Sequence, residues 1–161
     1  MTNWNEYSLG DIAEITSSKR IFYSDYLLSG IPFWRSKEVI EKSKNQEVST
    51  ELYISTEKYH EIKQRFGVPQ ENDILLTSVG TLGISYLVKK EDLFYFKDGN
   101  LTWLRNINRN LADPLFLNYW MKSPIGQDTL YSIAIGSTQP ALTIIGLKGI
   151  KITLPINGRY D

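Results

Sequence analysis

The sequence contains no cysteine, a single histidine (His60), and no excess of charge of either sign. Without cysteine, disulfides and thiolate metal sites are excluded, and this composition agrees with a reducing cytoplasm. One histidine provides neither a histidine cluster for a metal ion nor a Ser-His-Asp catalytic set. The balance of 18 Lys+Arg against 18 Asp+Glu argues against a strongly basic protein that binds nucleic acid mainly through salt-dependent attraction.

Long apolar runs are also missing from the sequence. No stretch approaches the ~20 apolar residues that a membrane-spanning helix needs, and the first six residues lack the basic and then apolar pattern of a signal peptide. The sequence therefore predicts a cytoplasmic protein with no membrane partner. Its 161 residues, of which 42% are hydrophobic, fit one folded domain with a proper core.

The stretch Glu71–Gly83 organises the predicted fold. Within it, Ile74–Leu76 is too short for a helix and lies between turn-forming residues, so it predicts a buried strand. Gly80 and Gly83 permit a positive φ in the loop that follows. A second apolar run, Ile84–Val88, predicts the returning strand of a hairpin.

Two further apolar runs, Leu93–Phe96 and Leu101–Leu104, flank an Asp-Gly pair, which is a strong turn signal. With the central hairpin they predict an antiparallel meander of four strands. A strand is also predicted at Ile31–Lys37, where Pro32 favours a place at a sheet edge or at the start of the strand. Alternation along that strand would direct Arg35 and the residue two further on, Lys37, to the same face.

Three helices are predicted from their starting residues, and the segment 38–50 is predicted to be a loop. Ser55 or Thr56 can cap the first helix, while Asp113-Pro114 and Ser123-Pro124 combine a capping residue with a proline at the first helical position. The closing residues, 148–155, alternate as a strand does. The order of elements predicts an α+β fold, with one mainly antiparallel, twisted sheet and helices packed on one side.

Three stretches in this order resemble one known family. They are Trp4 with Leu9-Gly10-Asp11-Ile12; Gly30-Ile31-Pro32-Phe33-Trp34-Arg35 with Asp73-Ile74-Leu75-Leu76-Thr77, Gly80, Thr81 and Gly83; and Gly136-Ser137-Thr138-Gln139 with Ile150 and Leu154-Pro155. The set resembles the target-recognition domain of the specificity subunit of type I restriction–modification systems. The resemblance spans Trp4 to Pro155 and implies a fold like that of DNA methylase specificity domains.

The resemblance also implies partners and a division of labour. A complete specificity subunit has two such domains, each followed by a long helix that holds the methyltransferase subunits. Here that helix would begin after about residue 155, so we expect residues 1–161 to form a single recognition domain, half of a two-domain subunit. The implied partners are double-stranded DNA, methyltransferase and restriction subunits, and a second specificity half. S-adenosylmethionine would bind the methyltransferase subunit, leaving this chain without cofactor, metal or catalysis.

Candidate DNA contacts follow from side-chain chemistry, read in the light of this resemblance. A guanidinium fork matches guanine or phosphate, an amide pairs with adenine, and hydroxyl groups and lysines hold phosphates. The loops near the quoted motifs supply such groups, and two aromatic residues near the basic loop, Tyr23 and Tyr26, suit stacking. The candidate set is Lys19, Arg20, Tyr23, Arg35, Lys37, Ser78, Thr81, Ser137, Thr138 and Gln139. Ser78 and Thr81 are expected to hold phosphate together with backbone N–H groups freed by the neighbouring glycines.

Two alternatives stay open at the level of sequence. Aromatic residues make up 12% of the chain and its net charge is zero, which also suits a β-rich carbohydrate-binding module that stacks on sugars. The absence of a signal peptide and the Arg- and Lys-bearing loops count against that reading. The second alternative is the recognition domain of a larger DNA methyltransferase.

Overall fold

Nine strands and six α-helices account for most of the regular structure of residues 4–155, the part of the chain that the computed structural model describes. The strands are β1 (Trp4–Ser8), β2 (Glu14–Thr16), β3 (Ile31–Trp34), β4 (Tyr53–Ile54), β5 (Ile74–Thr77), β6 (Ser85–Leu87), β7 (Tyr95–Phe96), β8 (Leu101–Arg105) and β9 (Lys151–Pro155). The helices are α1 (Leu9–Ile12), α2 (Ser36–Ser43), α3 (Thr56–Arg65), α4 (Pro114–Lys122), α5 (Pro124–Ser132) and α6 (Ile144–Lys148), and a 3-10 turn covers Tyr23–Asp25.

The strands form three small sheets in which antiparallel pairing predominates. Four strands are ordered β2-β8-β5-β6, three are ordered β4-β3-β7, and β1 pairs with β9. The pairing of β3 with β7 is parallel, and every other pairing is antiparallel. The predicted α+β class with mainly antiparallel strands is confirmed. The single sheet of the prediction is divided into three, because strands that are neighbours in sequence pair with distant partners.

The predicted four-stranded meander is wrong for this reason. The central hairpin forms, since β5 pairs with β6, but β7 leaves this sheet and joins β3. The strand after the Asp-Gly turn, β8, lies between β5 and β2 instead of pairing with β7. Gly99 has the positive φ of +93° that a tight turn uses, so the turn itself was correctly predicted. The turn connects two different sheets.

Strand β5 is buried on both faces and separates two hydrophobic clusters. Ile74 and Leu76 belong to a cluster with residues of α4, α5, α6 and β9, while Leu75 faces the opposite side with Trp103 and Tyr86. The alternation of a strand explains this division. Helix α2 covers the second side through Val39. Helices therefore pack on both faces of the four-stranded sheet, with four of the six on one face.

The segment after β3 differs from its prediction in two respects. Strand β3 is the middle strand of its sheet and ends at Trp34 and not at Lys37, while Pro32 lies near its start, one of the two places predicted for the proline. The N–H of Phe33 points to the β4 side and donates to Leu52 O at 2.9 Å. The nitrogen of Pro32 therefore faces the β7 side. Because pairing with β7 starts only at Phe33, no hydrogen bond is lost at the proline. Residues 36–43 form helix α2, although 38–50 was predicted to be a loop.

Helices α3, α4 and α5 begin where the sequence predicted. The side chains of Ser55, Asp113 and Ser123 accept hydrogen bonds from backbone N–H groups of the first turns. No helix within residues 4–155 is long and apolar enough to cross a bilayer. The long helix expected after about residue 155 falls outside the described residues.

Candidate nucleic-acid interface

The sheet topology brings three chain segments to one edge of the four-stranded sheet. Strand β8 runs antiparallel to both β2 and β5, with Thr16 opposite Trp103 and Thr77 opposite Leu101. The loops that leave β2 and β5 therefore emerge beside the loop that enters β8. These loops comprise residues 17–22, 78–84 and 97–100, and two of them carry residues of the candidate set.

Hydrogen bonds join the first loop to the third. The backbone N–H of Lys19 donates to the hydroxyl of Tyr95 at 2.6 Å. Tyr95 belongs to β7, the strand that leads into the third loop. The guanidinium Nε of Arg20 lies 3.4 Å from Oδ2 of Asp98. The Arg20 side chain is nevertheless 71% exposed, so its remaining donors face solvent.

The central loop is tied on both of its sides. The Ser78 N–H donates to the carbonyl of Asn100 at 3.0 Å, and the Ser78 carbonyl accepts from the N–H of Leu142 at 2.8 Å. The Gly80 N–H donates to Pro140 O at 3.0 Å, which draws the loop 136–140 beside the central loop. We call the surface formed by segments 18–20, 78–83, 97–100 and 136–140 the polar edge.

Four predicted residues present exposed, uncharged polar side chains on the polar edge. They are Thr81, Ser137, Thr138 and Gln139. No side-chain hydrogen bond or ion pair engages them within residues 4–155. Gly136, at a φ of +91°, turns the chain into the second loop, and an added Cβ would lie 3.1 Å from Gln139 O. The backbone of both loops is thus fixed while their hydroxyl and amide groups remain available.

Ser78 does not fit the predicted phosphate contact. Its side chain is 3% exposed, and its hydroxyl accepts a hydrogen bond from the Thr102 hydroxyl at 3.0 Å inside the sheet. The N–H groups of Gly80 and Gly83 are also used internally, donating to Pro140 O and Thr77 O. The N–H groups of these two glycines are therefore not available to a phosphate. Ser78 supports the loop from within, and Thr81 is its exposed hydroxyl.

Arg35 and Lys37 were predicted to share one face of a strand, and this prediction is wrong. They lie instead at a corner next to the polar edge. Arg35 precedes α2 and Lys37 is within it. Both cations reach Glu51, with Arg35 Nη2 at 3.4 Å from Oε2 and Lys37 Nζ at 2.9 Å from Oε1. Arg35 also lies 3.4 Å from the fully buried Glu38. We call these four residues, Arg35, Lys37, Glu38 and Glu51, the paired corner.

The ion pairs of the paired corner favour the charged forms of their members. The hydrogen bond from Lys37, and then its charge and that of Arg35, lower the pKa of the Glu51 carboxyl. The same hydrogen bond raises the pKa of Lys37. Partial burial opposes the charge of Arg35, but Glu38 and Glu51 outweigh it and the pKa of Arg35 is raised. Both cations are thus already neutralised in part.

Two functional candidates were missed by sequence reasoning. Lys97 and Asn100 lie on the polar edge with exposed side chains. The Lys97 N–H donates to Trp34 O at 2.9 Å, which places residue 97 between the paired corner and the rest of the polar edge. Within residues 4–155, no carboxylate pairs with its ammonium group. The Asp-Gly turn was visible in the sequence, but its position beside the central loop depends on the pairing of β8 with β5.

Tyr23 lies beyond Arg20, on the 3-10 turn, with 88% of its surface exposed. Its ring meets Tyr26 edge-on at 5.9 Å between centroids, and Tyr26 in turn packs against Phe33. Tyr23 is thus free to stack, whereas the half-buried Tyr26 supports it. Within residues 4–155, no cluster of three or more His, Cys, Asp or Glu side chains is suited to a metal ion.

Comparison with known proteins gives a consistent result. Residues 1–158 match the model of the family described as type I restriction modification DNA specificity domain. Over 148 residues the chain is 30% identical to a curated protein of Haemophilus influenzae named as a type I restriction enzyme specificity subunit, covering 91% of this chain and 35% of that protein. The chain therefore spans about a third of the length of this relative.

Solved structures share the fold at low sequence identity. A structure described as the basis of assembly and conformational transition of a type I R-M system superposes with a TM-score of 0.67 at 18% identity, covering 96% of this chain and 34% of that one. The S subunit of M. genitalium gives 0.63 at 17%, covering 95% and 34%. The HsdS subunit of Thermoanaerobacter tengcongensis gives 0.66 at 17%, covering 96% and 33%. Because the family model matches residues 1–158 of its 161 residues, the chain belongs to the family of type I restriction–modification DNA specificity domains.

Proposed function

We propose that this chain recognises DNA in a sequence-specific manner through its polar edge, reading one half of a bipartite target of a type I restriction–modification complex. The observation that carries the proposal is the union of four chain segments into one surface, by hydrogen bonds of the backbone and by the ion pair between Arg20 and Asp98. Family membership supplies the class of ligand. A surface held in this way presents its side chains at fixed positions, which base readout requires.

The chemistry of the polar edge suits base edges better than phosphates alone. Gln139 offers both an amide donor and an acceptor, the combination that pairs bidentately with adenine in the major groove. The hydroxyls of Thr81, Ser137 and Thr138 can donate to or accept from base edges or phosphate oxygens. Arg20 and Lys97 add exposed positive charge at the other end. In a chain of zero net charge, these local cations would position the duplex while the amide and hydroxyl groups discriminate bases.

The proposal assigns no catalytic step to this chain. Methyl transfer and the binding of S-adenosylmethionine belong, in this proposal, to a partner methyltransferase subunit, and DNA cleavage to a restriction subunit. This chain would direct them to the target, together with a second specificity half. Such a complex acts in the cytoplasm.

The decisive experiment is selection from a randomised duplex pool by the chain, at low and at moderate salt, with and without a cognate methyltransferase subunit. Enrichment of a short motif of a few base pairs is expected, and it would identify the half-site. Binding should weaken with salt, because contacts to phosphates release counterions. The same selection with Gln139→Ala is expected to lose or relax at least one position of the motif.

Retention of duplexes without any enriched motif, in the presence of the methyltransferase subunit, would contradict sequence-specific recognition. Binding of glycans without retention of DNA would instead favour the carbohydrate-binding alternative. The family membership of the chain favours the DNA outcome.

A further inference from the structure

A cleft of about 310 Å³ opens beside the polar edge. Its walls come from β2, from the end of α3, from β8 and from the loop that carries Lys19. Three cations from separate chain segments line it, namely Lys19, Arg65 and Arg105, against one carboxylate, Glu14. The Glu14 carboxylate already accepts a hydrogen bond from the Asn106 side-chain amide at 2.9 Å. The cleft therefore has an excess of positive charge although the chain as a whole is neutral.

Arg105 is held rigidly in this cleft. Its guanidinium stacks 4.1 Å from the centroid of the buried Trp103 ring, and its Nη1 donates to Phe66 O at 2.8 Å. Gly67 leaves room for it, since a Cβ added there would lie 2.3 Å from Nη2, and the φ of Gly67 is +82°. Within residues 4–155, the Nε and Nη2 groups of Arg105 have no hydrogen-bond acceptor. The fork is thus preorganised, with donors left over.

The other two cations lie over one exposed aromatic ring. Lys19 Nζ is 4.5 Å and the Arg65 guanidinium 5.2 Å from the centroid of Phe66. Within the described residues, Lys19 has no carboxylate partner, and Arg65 has only a pair with Glu61 at 3.6 Å in which both side chains are more than half exposed. Such an exposed pair contributes little to stability. Both cations can be recruited by a stronger acceptor.

We infer that this cleft binds a phosphate group. Two guanidinium forks and an ammonium group around one opening match the several oxygens of a phosphate, and charge-assisted hydrogen bonds of this kind are the stronger ones. The unused donors of Arg105 and the two cations over the Phe66 ring together give the cleft more hydrogen-bond donors than acceptors. In an ion-pair network for stability, Glu14, the one carboxylate of the lining, would pair with these cations. Within the described residues it forms no ion pair with them and accepts a hydrogen bond from Asn106 instead.

The phosphate that fits the proposed function is a backbone phosphate of the bound duplex, and this source rests on that function. Lys19 belongs to the cleft while the adjacent Arg20 belongs to the polar edge, so a strand that follows the edge passes the mouth of the cleft. A volume at the lower end of the ligand-pocket range admits one phosphate with its sugar, but no base pair. The contact would set the position of the duplex and carry no sequence information. A free phosphate is the other source of the same chemistry.

The test uses Arg65→Gln, with Lys63→Gln as its matched control. Both residues lie in the last turn of α3, so both changes remove a cation from the same end of the helix, but only Arg65 lines the cleft. Affinity for a duplex is measured as a function of salt. Arg65→Gln should lower affinity several-fold for every sequence tested and reduce the salt slope by about 1. The control should leave both unchanged.

A second arm separates the sources and does not depend on DNA recognition. Side-chain Nε–H resonances of Arg65 and Arg105 are followed by NMR during titration with inorganic phosphate, against chloride at equal ionic strength, and with a duplex. Saturable shifts with phosphate itself would support a site for the free ion. Shifts with the duplex only would support the DNA backbone as the source. Absence of shifts with both probes would overturn the inference. Identical salt slopes for Arg65→Gln and the wild type would overturn the DNA backbone as the source of the phosphate.

The two proposals can fail separately. If no motif is enriched and no duplex is bound, the proposed function fails, while the phosphate titration still decides whether the cleft takes the ion. If the motif is read normally by Arg65→Gln and its salt slope is unchanged, recognition stands and the cleft has no part in it.

Discussion

The functional side chains differ between two regions of the molecule. One region is the pair of loops at one end of the polar edge, and the other is the paired corner. In the loops 78–83 and 136–140, the backbone is fixed by hydrogen bonds, and the hydroxyl and amide groups of Thr81 and Gln139 have no protein partner within the described residues. In the paired corner, Arg35 and Lys37 are already bound to Glu51. The first region is open to a ligand, and the second is occupied by its own carboxylates.

This difference indicates which region would discriminate bases and how much the cations of the other would add to phosphate binding. A free amide on a rigid loop gains hydrogen bonds on binding and loses few, so it discriminates at low cost. A cation that must first leave Glu51 gains little from a phosphate, because one charge-assisted bond replaces another. Four predictions test this contrast, in order of decreasing effect.

Replacement of Ser78 by valine should have the largest effect, on stability. It leaves the buried Thr102 hydroxyl without its acceptor and adds a branched apolar side chain to a closely packed sheet. Together these changes should lower the free energy of unfolding by roughly 2–4 kcal/mol, measured by denaturant titration.

The matched control is Thr81→Val, in the same loop but exposed. It should alter stability by less than about 0.5 kcal/mol. Equal effects of the two substitutions would contradict the assignment of Ser78 to the interior and Thr81 to the surface.

Gln139→Ala should weaken binding to the enriched duplex by about 1–3 kcal/mol, the typical value of a good bidentate base contact. The fold should be unaffected, because the Gln139 side chain is exposed and unpartnered in the described structure. Affinity for an unrelated duplex should change little. Gln64→Ala, an exposed glutamine of α3, serves as control, and an equal loss there would remove Gln139 from the readout.

Glu51→Gln should strengthen DNA binding. The substitution weakens both ion pairs that Glu51 makes, while the pair between Arg35 and Glu38 remains. It releases Lys37 and the Nη2 end of Arg35 to contact phosphates, so affinity for an arbitrary duplex should rise several-fold at low salt. Glu47→Gln removes an equally exposed charge from the same segment without freeing a cation, and it isolates the effect of net charge. If both variants gain equally, release of the pair plays no part.

The smallest effect expected is on the pH dependence of stability. The pKa of Glu51 is lowered in the folded state from its ordinary value of 4.5. Its contribution is therefore fully present above that value and is lost as the pH falls through the folded pKa. Denaturation midpoints of the wild type and of Glu51→Gln should converge as the pH falls below 4.5. Parallel curves over this range would show that the pairing adds nothing to stability.

The sequence predicted best those elements whose signals are local. Asp113-Pro114 and Ser123-Pro124 predicted both helix starts, because a capping side chain and a proline act within one turn. The predicted burial of Ile74–Leu76 is likewise confirmed. Helix α2 was missed because Arg35 precedes it, where a Ser, Thr, Asp or Asn would be recognised. Its start is supported instead by the Glu38 carboxylate, which accepts the Arg35 N–H at 3.0 Å.

Non-local pairing explains the remaining errors. The Asp98-Gly99 turn is real, yet nothing near it in sequence tells that Phe96 aligns with Trp34 while Leu101 aligns with Thr77. The same pairing brings Lys97 and Asn100 to the polar edge. The sequence alone therefore could not predict them as candidate DNA contacts. The burial of Ser78 also follows from the sheet, since Thr102 of the neighbouring strand meets its hydroxyl.

The pairing of β1 with β9 has a consequence for how such a domain can be used. Trp4 lies opposite Pro155 and Ser8 opposite Lys151, so the two ends of the described structure leave side by side. A longer chain can therefore accept this domain at a single point, and can exchange it for another of the same fold without altering its own geometry. Because the four segments of the polar edge all belong to this domain, exchange of the domain would replace the whole proposed recognition surface in one step.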